Sequence, residues 1–308
     1  MRAGAMNRLS VEACDSLDGL KDGFIDDPDA CDFDPQTVVG QTVDCGNSTT
    51  LKISAQTASI VRAIREGPTG ADAKPLWVGT GHGTPFTGVL AFANTKCDSG
   101  VTNCTGVPFP MAVDWLKNFT RRDPSYDVTK MTLTDLEENY YLSRQQLGPI
   151  IAADDPDLSP FRGLNRKLLS WHGLVDECIT MRGSRLYYDR VLQVDGNASD
   201  YFRHFEAPGV NHCNAAPGAF YPLRALDALT RWVEGGIAPD VLVGYKMPNA
   251  TTITADSEAS RPVCRYPQVL RYTGGDAGSY GSFGCVARGA KGTGTGANGG
   301  GSRRRDEL

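Results

Sequence analysis

Two short segments of the sequence carry an acidic and a basic residue whose types could serve one catalytic site. The segment at 167–176, KLLSWHGLVD, places Asp176 after an apolar run, and the segment at 210–213, VNHC, contains His212. A carboxylate can orient an imidazole and stabilise its charged form while the imidazole takes a proton from a nucleophile. We therefore predict that Asp176 and His212 are the acidic member and the base of a catalytic triad.

The residues around Asp176 and His212 predict the elements that position them. The run that begins at Leu168 and Leu169 is typical of a buried parallel strand, and residues 201–205 alternate like a second strand. Between the two strands, a helical period is carried by Leu186, Tyr187, Val191 and Val194. Because α/β folds keep their chemistry at the carboxyl ends of such strands, the loops that follow both strands are expected to meet there.

The order of these two residues matches a known scheme of catalysis. In α/β hydrolases the triad runs Ser, then Asp or Glu, then His along the chain, and the Ser lies in a G-x-S-x-G elbow. No serine among the 308 residues lies in that pattern. The sequence therefore predicts an incomplete α/β-hydrolase fold, which holds the C-terminal part of the core sheet and two of the three triad residues.

Longer motifs surround these residues and carry a family resemblance. They are ACDSLDGLKDGFIDDPDACDFDP at 13–35, WHGLVDECI at 171–179, YYDRV at 187–191, YFRHFEAPGVNHCNAAPGAF at 201–220 and LTRWVEGGIAPD at 229–240. With these motifs in this order, roughly residues 11–272 resemble the tannase and feruloyl esterase family of secreted serine esterases. The resemblance implies hydrolysis of small esters of plant aromatic acids.

The resemblance also implies roles for single residues. Asp176 matches the triad acid, His212 the triad base, and Cys213 the cysteine that is disulfide-bonded to a cysteine beside the nucleophile. The 308 residues have no counterpart of the N-terminal half of the family's sequence, which contains the nucleophile elbow. We therefore expect that the cysteine partner of Cys213 is missing together with the nucleophile. We expect an N-terminally truncated ester hydrolase, and the alternative is a catalytically inactive remnant that binds calcium or a ligand.

Residues 14–27 hold closely spaced carboxylates and glycines. Asp15, Asp18 and Asp22 alternate with Gly19 and Gly23, which allow the backbone to curl around a hard cation. The spacing differs from that of an EF-hand, and a solvated acidic loop is the alternative interpretation.

The resemblance implies a structural calcium ion in this loop, as part of a lid domain. Its ligands would be the carboxylates of Asp15, Asp18 and Asp22 and the backbone carbonyls of Leu20 and Phe24. We interpret the neighbouring Asp26, Asp27 and Asp29 as surface charges.

The nine cysteines predict disulfide bonds. Local spacing pairs Cys14 with Cys31, Cys97 with Cys104, and Cys264 with Cys285. Cys45, Cys178 and Cys213 are then left over. Two interpretations of Cys45 and Cys178 remain open: each has a disulfide partner in a missing upstream segment, or each is a free buried thiol.

Composition and charge bound the class of protein. The net charge of -5 disfavours nucleic acid as a partner, and no apolar run is long enough to cross a membrane. The first residues lack a secretory signal, but five N-x-S/T sequons and the cysteines indicate an oxidising, secretory environment.

We expect a secreted protein, and the sequence does not predict its oligomeric state. The final Arg305-Asp306-Glu307-Leu308 resembles a retention signal of the endoplasmic reticulum.

Patterning along the chain predicts its organisation. We expect a lid domain at 1–155, the C-terminal part of the catalytic domain at 156–288, and a disordered Gly- and Arg-rich tail at 289–308. Helices are predicted at 55–67, and at 135–142 after a capping box that begins at Thr134. After His212, a further helix is expected to bury one apolar stripe against the sheet. This stripe consists of Leu223, Leu226, Leu229 and Val233.

Overall fold

A computed structural model describes residues 2–45, 50–91, 93–98, 104–213, 216, 218–247 and 259–289. The described residues form seven α-helices, which are α1 (Arg2–Cys14), α2 (Ala55–Glu66), α3 (Pro110–Asp114), α4 (Leu133–Ile151), α5 (Ser159–Gly163), α6 (Met181–Val194) and α7 (Ala225–Gly235). They also form short strands, which are β1 (Thr42–Asp44), β2 (Thr50–Lys52), β3 (Thr95–Cys97), β4 (Cys104–Gly106), β5 (Leu168–Gly173), β6 (Phe202–Ala207), β7 (Phe220–Tyr221), β8 (Val241–Lys246), β9 (Ser260–Cys264), β10 (Gln268–Tyr272) and β11 (Phe283–Ala287). Of the predicted tail at 289–308, residues 290–308 lie outside the described residues.

Strands β5 and β6 form the parallel pair that the sequence predicts. Their register runs from Leu168 opposite Phe202 to Gly173 opposite Ala207, and α6 connects the two strands. The predicted order of strand, Asp loop, helix, strand and His loop is confirmed. The expectation that β5 is buried is wrong, because five of its six residues are half-exposed. Within the described residues β5 is an edge strand, since its one partner is β6.

A hydrophobic core joins this pair to the antiparallel sheet β7–β8–β9. Its buried members are Phe205, Ala207, Val210, Ala219, Ala228, Leu242, Met247 and Val263. A second core lies in the N-terminal part, where α1 and α2 pack together around Met6, Val61 and Phe86. None of the described helices combines the length and apolar character that crossing a bilayer requires.

Two predicted helices are present, and one is longer than expected. Helix α2 ends at Glu66, before Gly67, as predicted, and the hydroxyl of Ser54 caps its start. Helix α4 begins at Leu133 and continues to Ile151, so the prediction of 135–142 is too short. Its capping box is formed by Thr132 and Asp135, two residues earlier than predicted, because Thr132 occupies the extended N-cap position.

Helix α7 follows His212 as predicted, but it buries a different face. Its buried residues are Ala228 and Trp232. The cationic groups of Lys167 and Arg203 lie 5.6 and 5.3 Å from the centroid of the Trp232 ring. Leu226 and Val233 are 73% and 60% exposed, so the predicted apolar stripe does not pack on the sheet. The helix is therefore rotated so that it buries Ala228 and Trp232 in place of the leucines.

Three disulfide bonds confirm the pairing predicted from local spacing. They join Cys14 to Cys31, Cys97 to Cys104 and Cys264 to Cys285. The first closes the acidic loop at 14–31, and the third links β9 to β11. Cys45, Cys178 and Cys213 lie outside these three bonds, as expected.

A cluster of ion pairs, most deeply buried at Arg185 and Glu206, connects the acidic N-terminal loop to α6 and β6. Arg185 donates to both carboxylate oxygens of Glu206 at 2.7 and 2.8 Å, and Glu206 is 5% exposed. Arg288 donates to the same carboxylate at 3.2 Å. Arg185, Arg288 and Arg182 also pair with Asp29. Burial alone would raise the pKa of Asp29, but these three cations lower it.

This cluster corrects the interpretation of Asp27 as a surface charge, because Asp27 is partly buried, whereas Asp29 is exposed, as that interpretation expects. Asp27 pairs with Arg288, and Asp29 is the acceptor shared by three arginines. Charges that leave water need partners within the protein, so the cluster fixes how the loop at 27–29 lies on the strand that leads to His212.

We expect the substitution Glu206→Gln to destabilise the chain by about 3 kcal/mol, because it removes the buried anion that Arg185 and Arg288 share and leaves them only their more exposed pairs with Asp29 and Asp27. Urea denaturation followed by circular dichroism measures the change in the free energy of unfolding. Lys130→Ala is the control, since it removes the exposed pair with Asp127. That variant should unfold like the wild type, and equal stability of both variants would contradict the role of the cluster.

Candidate active site

The loops that carry Asp176 and His212 are held together by the backbone. The amide of Leu174 donates to the carbonyl of Ala207 at 2.9 Å, and the amide of Val175 donates to the carbonyl of Val210 at 3.2 Å. A Cβ atom at Gly173 would lie 2.1 Å from that Val210 oxygen, so only glycine permits the close approach. The end of β5 and the end of β6 therefore bring the two loops to the same edge, as predicted.

Asp176 and His212 are in direct contact. The His212 Nδ1 atom lies 3.1 Å from the Asp176 Oδ2 atom. Because an ionised carboxylate only accepts hydrogen bonds, Nδ1 must carry the proton and donate it. The lone pair is then on Nε2, which is the atom that can take a proton from a nucleophile. The side chain of His212 is 28% exposed, whereas that of Asp176 is 6% exposed, so the base is accessible and its carboxylate is not.

The Asp176 carboxylate accepts hydrogen bonds at both oxygens. The backbone amides of Cys178 and Ile179 donate to Oδ1 at 2.9 and 2.7 Å, and the two histidines His172 and His212 meet at Oδ2. Burial alone would raise the pKa of Asp176, but these hydrogen bonds lower it to about 2. The carboxylate therefore stays ionised where a histidine titrates, as the partner of a catalytic base must.

Glu177, Asn211 and Ser184 belong to the site, although no sequence motif singled them out. Glu177 accepts from the backbone amide of His212 and the side chain of Asn211, both at 3.2 Å, so it fixes the His loop. His172 contacts Asp176 at 3.1 Å and the Ser184 hydroxyl at 2.8 Å. For His172, the available sequence signal was the period-2 pattern of β5, which places Ser170 and His172 on one face of the strand.

The other two histidines are structural. His204 is buried and contacts Ser170 at 2.9 Å, and His82 contacts Ser10 at 2.9 Å. Burial lowers the pKa of each to about 3, so both are neutral near pH 7. Among the residues that the structure describes, no hydroxyl group hydrogen-bonds to His212, and the partner of its imidazole is the Asp176 carboxylate.

The acidic loop places its carboxylates inside the protein. Asp15 accepts from the amides of Asp22 and Gly23 at 3.0 Å, and Asp22 pairs with Arg261. Asp18 is 6% exposed and Asp26 is 7% exposed, so the interpretation of Asp26 as a surface charge is wrong. Burial raises the pKa of Asp18, and burial together with the charge of Asp18 raises that of Asp26.

The donor chemistry of this loop suits a hard cation, although its carboxylates are not gathered around one point. Asp15 and Asp22 already accept from protein donors, and within the described ranges no three acidic, histidine or cysteine side chains converge in a metal-binding arrangement. Two buried carboxylates beside each other nevertheless form a region in which negative charge is poorly compensated.

Comparison with known proteins places these motifs in one family. Residues 3–286 match the family described as tannase and feruloyl esterase. A probable feruloyl esterase of Arthroderma benhamiae is 36% identical over 287 residues, which are 92% of this chain and 52% of that protein. The chain spans about half the length of the curated relatives it matches.

Solved structures agree with this family and with an α/β-hydrolase type of fold. The crystal structure of feruloyl esterase B from Aspergillus oryzae aligns with a TM-score of 0.74 at 25% identity, covering 92% of this chain and 56% of that one. Tannin acyl hydrolase from Aspergillus niger aligns with a TM-score of 0.81 at 19% identity, covering 93% and 53%, and it supports the fold alone. The Asp176–His212 pair, the matched motifs and these alignments lead to one conclusion: the chain belongs to the tannase and feruloyl esterase family.

Proposed function

We propose that this chain provides the base and the orienting carboxylate of a carboxylic ester hydrolase of the feruloyl esterase type. The observation that carries the proposal is the 3.1 Å contact between His212 Nδ1 and the buried carboxylate of Asp176. The relatives named feruloyl esterase suggest esters of aromatic acids as substrates. A small aromatic ester is therefore the proposed ligand.

In the proposed reaction each residue has one role. A serine hydroxyl attacks the ester carbonyl, and His212 Nε2 takes the hydroxyl proton and then delivers it to the leaving alcohol. Asp176 holds the imidazole and stabilises its positive charge through Nδ1. Water then attacks the acyl-enzyme with His212 again as base. Catalysis requires a serine and oxyanion donors from beyond the described residues.

The open edge of β5 indicates where that serine would arrive. The amide of Leu168 donates to the carbonyl of Tyr201, directly before β6, and the amide of Leu174 donates to that of Ala207 at the end of β6. The alternate residues Leu169 and Trp171 therefore direct their backbone groups to the opposite edge of β5. Unpaired edge groups accept a further strand. A strand there would end at the same edge as Asp176, so we propose that the nucleophile follows such a strand, on the half of the fold that this chain does not span. Cys213, next to His212, would then bond to a cysteine beside that serine.

We also propose that the acidic loop binds a structural calcium ion. The carboxylates of Asp15, Asp18 and Asp22 and the carbonyls of Leu20 and Phe24 would hold it, and the Cys14–Cys31 disulfide limits the loop to a small set of conformations. When bound, the ion would neutralise the buried carboxylates. It would thereby stabilise the loop that also contributes Asp29 to the ion-pair cluster.

Secretion is proposed from the disulfides and the sequons. Asn118 and Asn197 are exposed, as glycosylation requires, whereas Asn47, Asn103 and Asn249 lie outside the described residues. The terminal Arg305-Asp306-Glu307-Leu308 also lies outside them, and retention in the endoplasmic reticulum stays a prediction.

Reconstitution tests the proposed activity. The chain alone should not hydrolyse a feruloyl ester measurably, whereas co-expression with the part of the Arthroderma benhamiae relative that this chain does not span should give a complex that releases ferulate. In that complex, His212→Ala should lower kcat by about 10⁶-fold and Asp176→Asn by about 10⁴-fold.

The control is His82→Gln, which changes a histidine outside the site and should leave the rate of ferulate release unchanged. Co-purification shows whether the complex forms. A complex that forms without hydrolysing the ester would contradict the proposed function and favour a non-catalytic, ligand-binding protein.

Calcium should raise the unfolding midpoint of the chain. At a concentration 100 times the dissociation constant, binding would stabilise the fold by about 2.7 kcal/mol, and the chelator EGTA should reverse this. Asp18→Asn should abolish the effect, whereas Asp32→Asn, which changes an exposed carboxylate directly after the loop, should preserve it. Differential scanning fluorimetry measures both variants, and equal midpoints with calcium and with EGTA would exclude the site.

A further inference from the structure

Two histidine side chains contact the same carboxylate oxygen of Asp176. His172 Nε2 and His212 Nδ1 both lie 3.1 Å from Asp176 Oδ2. His172 belongs to β5, and its side chain is 15% exposed, so it reaches the carboxylate from the protein interior. His212 reaches the same oxygen from the more exposed side. The carboxylate is therefore divided between a base and a second imidazole that the ester hydrolysis described above does not use.

The surroundings of His172 determine which of its nitrogens is protonated. Nε2 faces two acceptors, the Asp176 carboxylate and the carbonyl of Ile179, each at 3.1 Å. Nε2 must therefore carry a proton and donate it to both. Nδ1 lies 2.8 Å from the Ser184 hydroxyl, which donates to it when His172 is neutral. Ser184 on α6 thus holds the ring in the orientation that gives Asp176 its hydrogen bond.

We propose that His172 is a positioning residue that lowers the affinity of His212 for a proton through the carboxylate oxygen they share. The consequence for ester hydrolysis rests on the proposed function, whereas the effect on His212 does not. A donor at Oδ2 withdraws negative charge from that oxygen, so the carboxylate stabilises the His212 imidazolium less. His212 then remains a free base at lower pH.

Other ionisable groups near the two rings must stay constant in a test. The Asp loop contributes Glu177 and Cys178, and the His loop contributes Cys213. On the far side of His172, β6 carries His204, and α6 carries Arg185, which is paired with Glu206. Substitution of His172 alone leaves all of them in place. If His172 were itself protonated, its removal would still favour a proton on His212, because a cation would be lost.

Nuclear magnetic resonance of the full chain tests the proposal without any ester substrate. The Hε1 resonance of His212 is followed against pH in the wild type, His172→Phe and His172→Gln. The phenylalanine fills the space without a donor, whereas the glutamine amide can replace Nε2–H. We expect the titration midpoint of His212 to rise by about 0.5–1 pH unit in the Phe variant and to stay within about 0.2 unit in the Gln variant.

A matched control separates this effect from the general loss of a buried imidazole. His82 also pairs with a serine hydroxyl but does not contact Asp176, so His82→Gln should leave the His212 titration unchanged. An unchanged midpoint in His172→Phe, or an equal rise in the Phe and Gln variants, would overturn the proposal. If His172→Phe does not fold, the Ser184→Ala variant is measured in its place. A rise of the His212 titration midpoint that is smaller than the one expected for the Phe variant supports the proposal, and an unchanged midpoint refutes it.

The result is also distinct from that of reconstitution. A complex that fails to hydrolyse the ester refutes the proposed function but leaves the His212 shift measurable. If the complex is active, the acid limb of its pH–rate profile should move to higher pH in His172→Phe, while the Gln variant follows the wild type.

Discussion

The structure depends on the burial of one ionised carboxylate. Asp176 is almost inaccessible to water, and a charge in that position is tolerated only when hydrogen bonds replace its hydration. Two backbone amides and two imidazoles do so, and they come from three places in the chain: β5, the turn after Asp176 and the His loop. The parallel pairing of β5 with β6, and the lack of a side chain at Gly173, are the conditions that bring these places together.

A second set of buried charges ties this edge to the N-terminal part of the chain. Glu206 lies in β6, near the turn that leads to His212, and its partners Arg185 and Arg288 also hold Asp29. A change at the acidic loop can therefore reach the His loop through β6. The same loop carries the buried Asp18 and Asp26.

Residue order and local spacing predicted the parts of this architecture that depend on few contacts. The order of Asp176 and His212, the strands around them and the three disulfides follow from short-range patterns in the chain. Errors arose where distant contacts decide: α7 buries Trp232, whose ring contacts Lys167 and Arg203, and Asp26 is buried beside Asp18. The contact of His172 with Asp176 needs the turn geometry after β5, which residue types alone do not define.

The two imidazoles at Asp176 connect stability with chemistry. A carboxylate that served His212 alone would bind the imidazolium more strongly and make the base less available in acid. A carboxylate without His172 would also lose a buried donor, at a cost in stability. The same hydrogen bond thus completes the burial of Asp176 and moderates the basicity of His212. This effect requires that Ser184 keeps the His172 ring turned toward the carboxylate. Helix α6, which carries Ser184, therefore contributes to the basicity of His212.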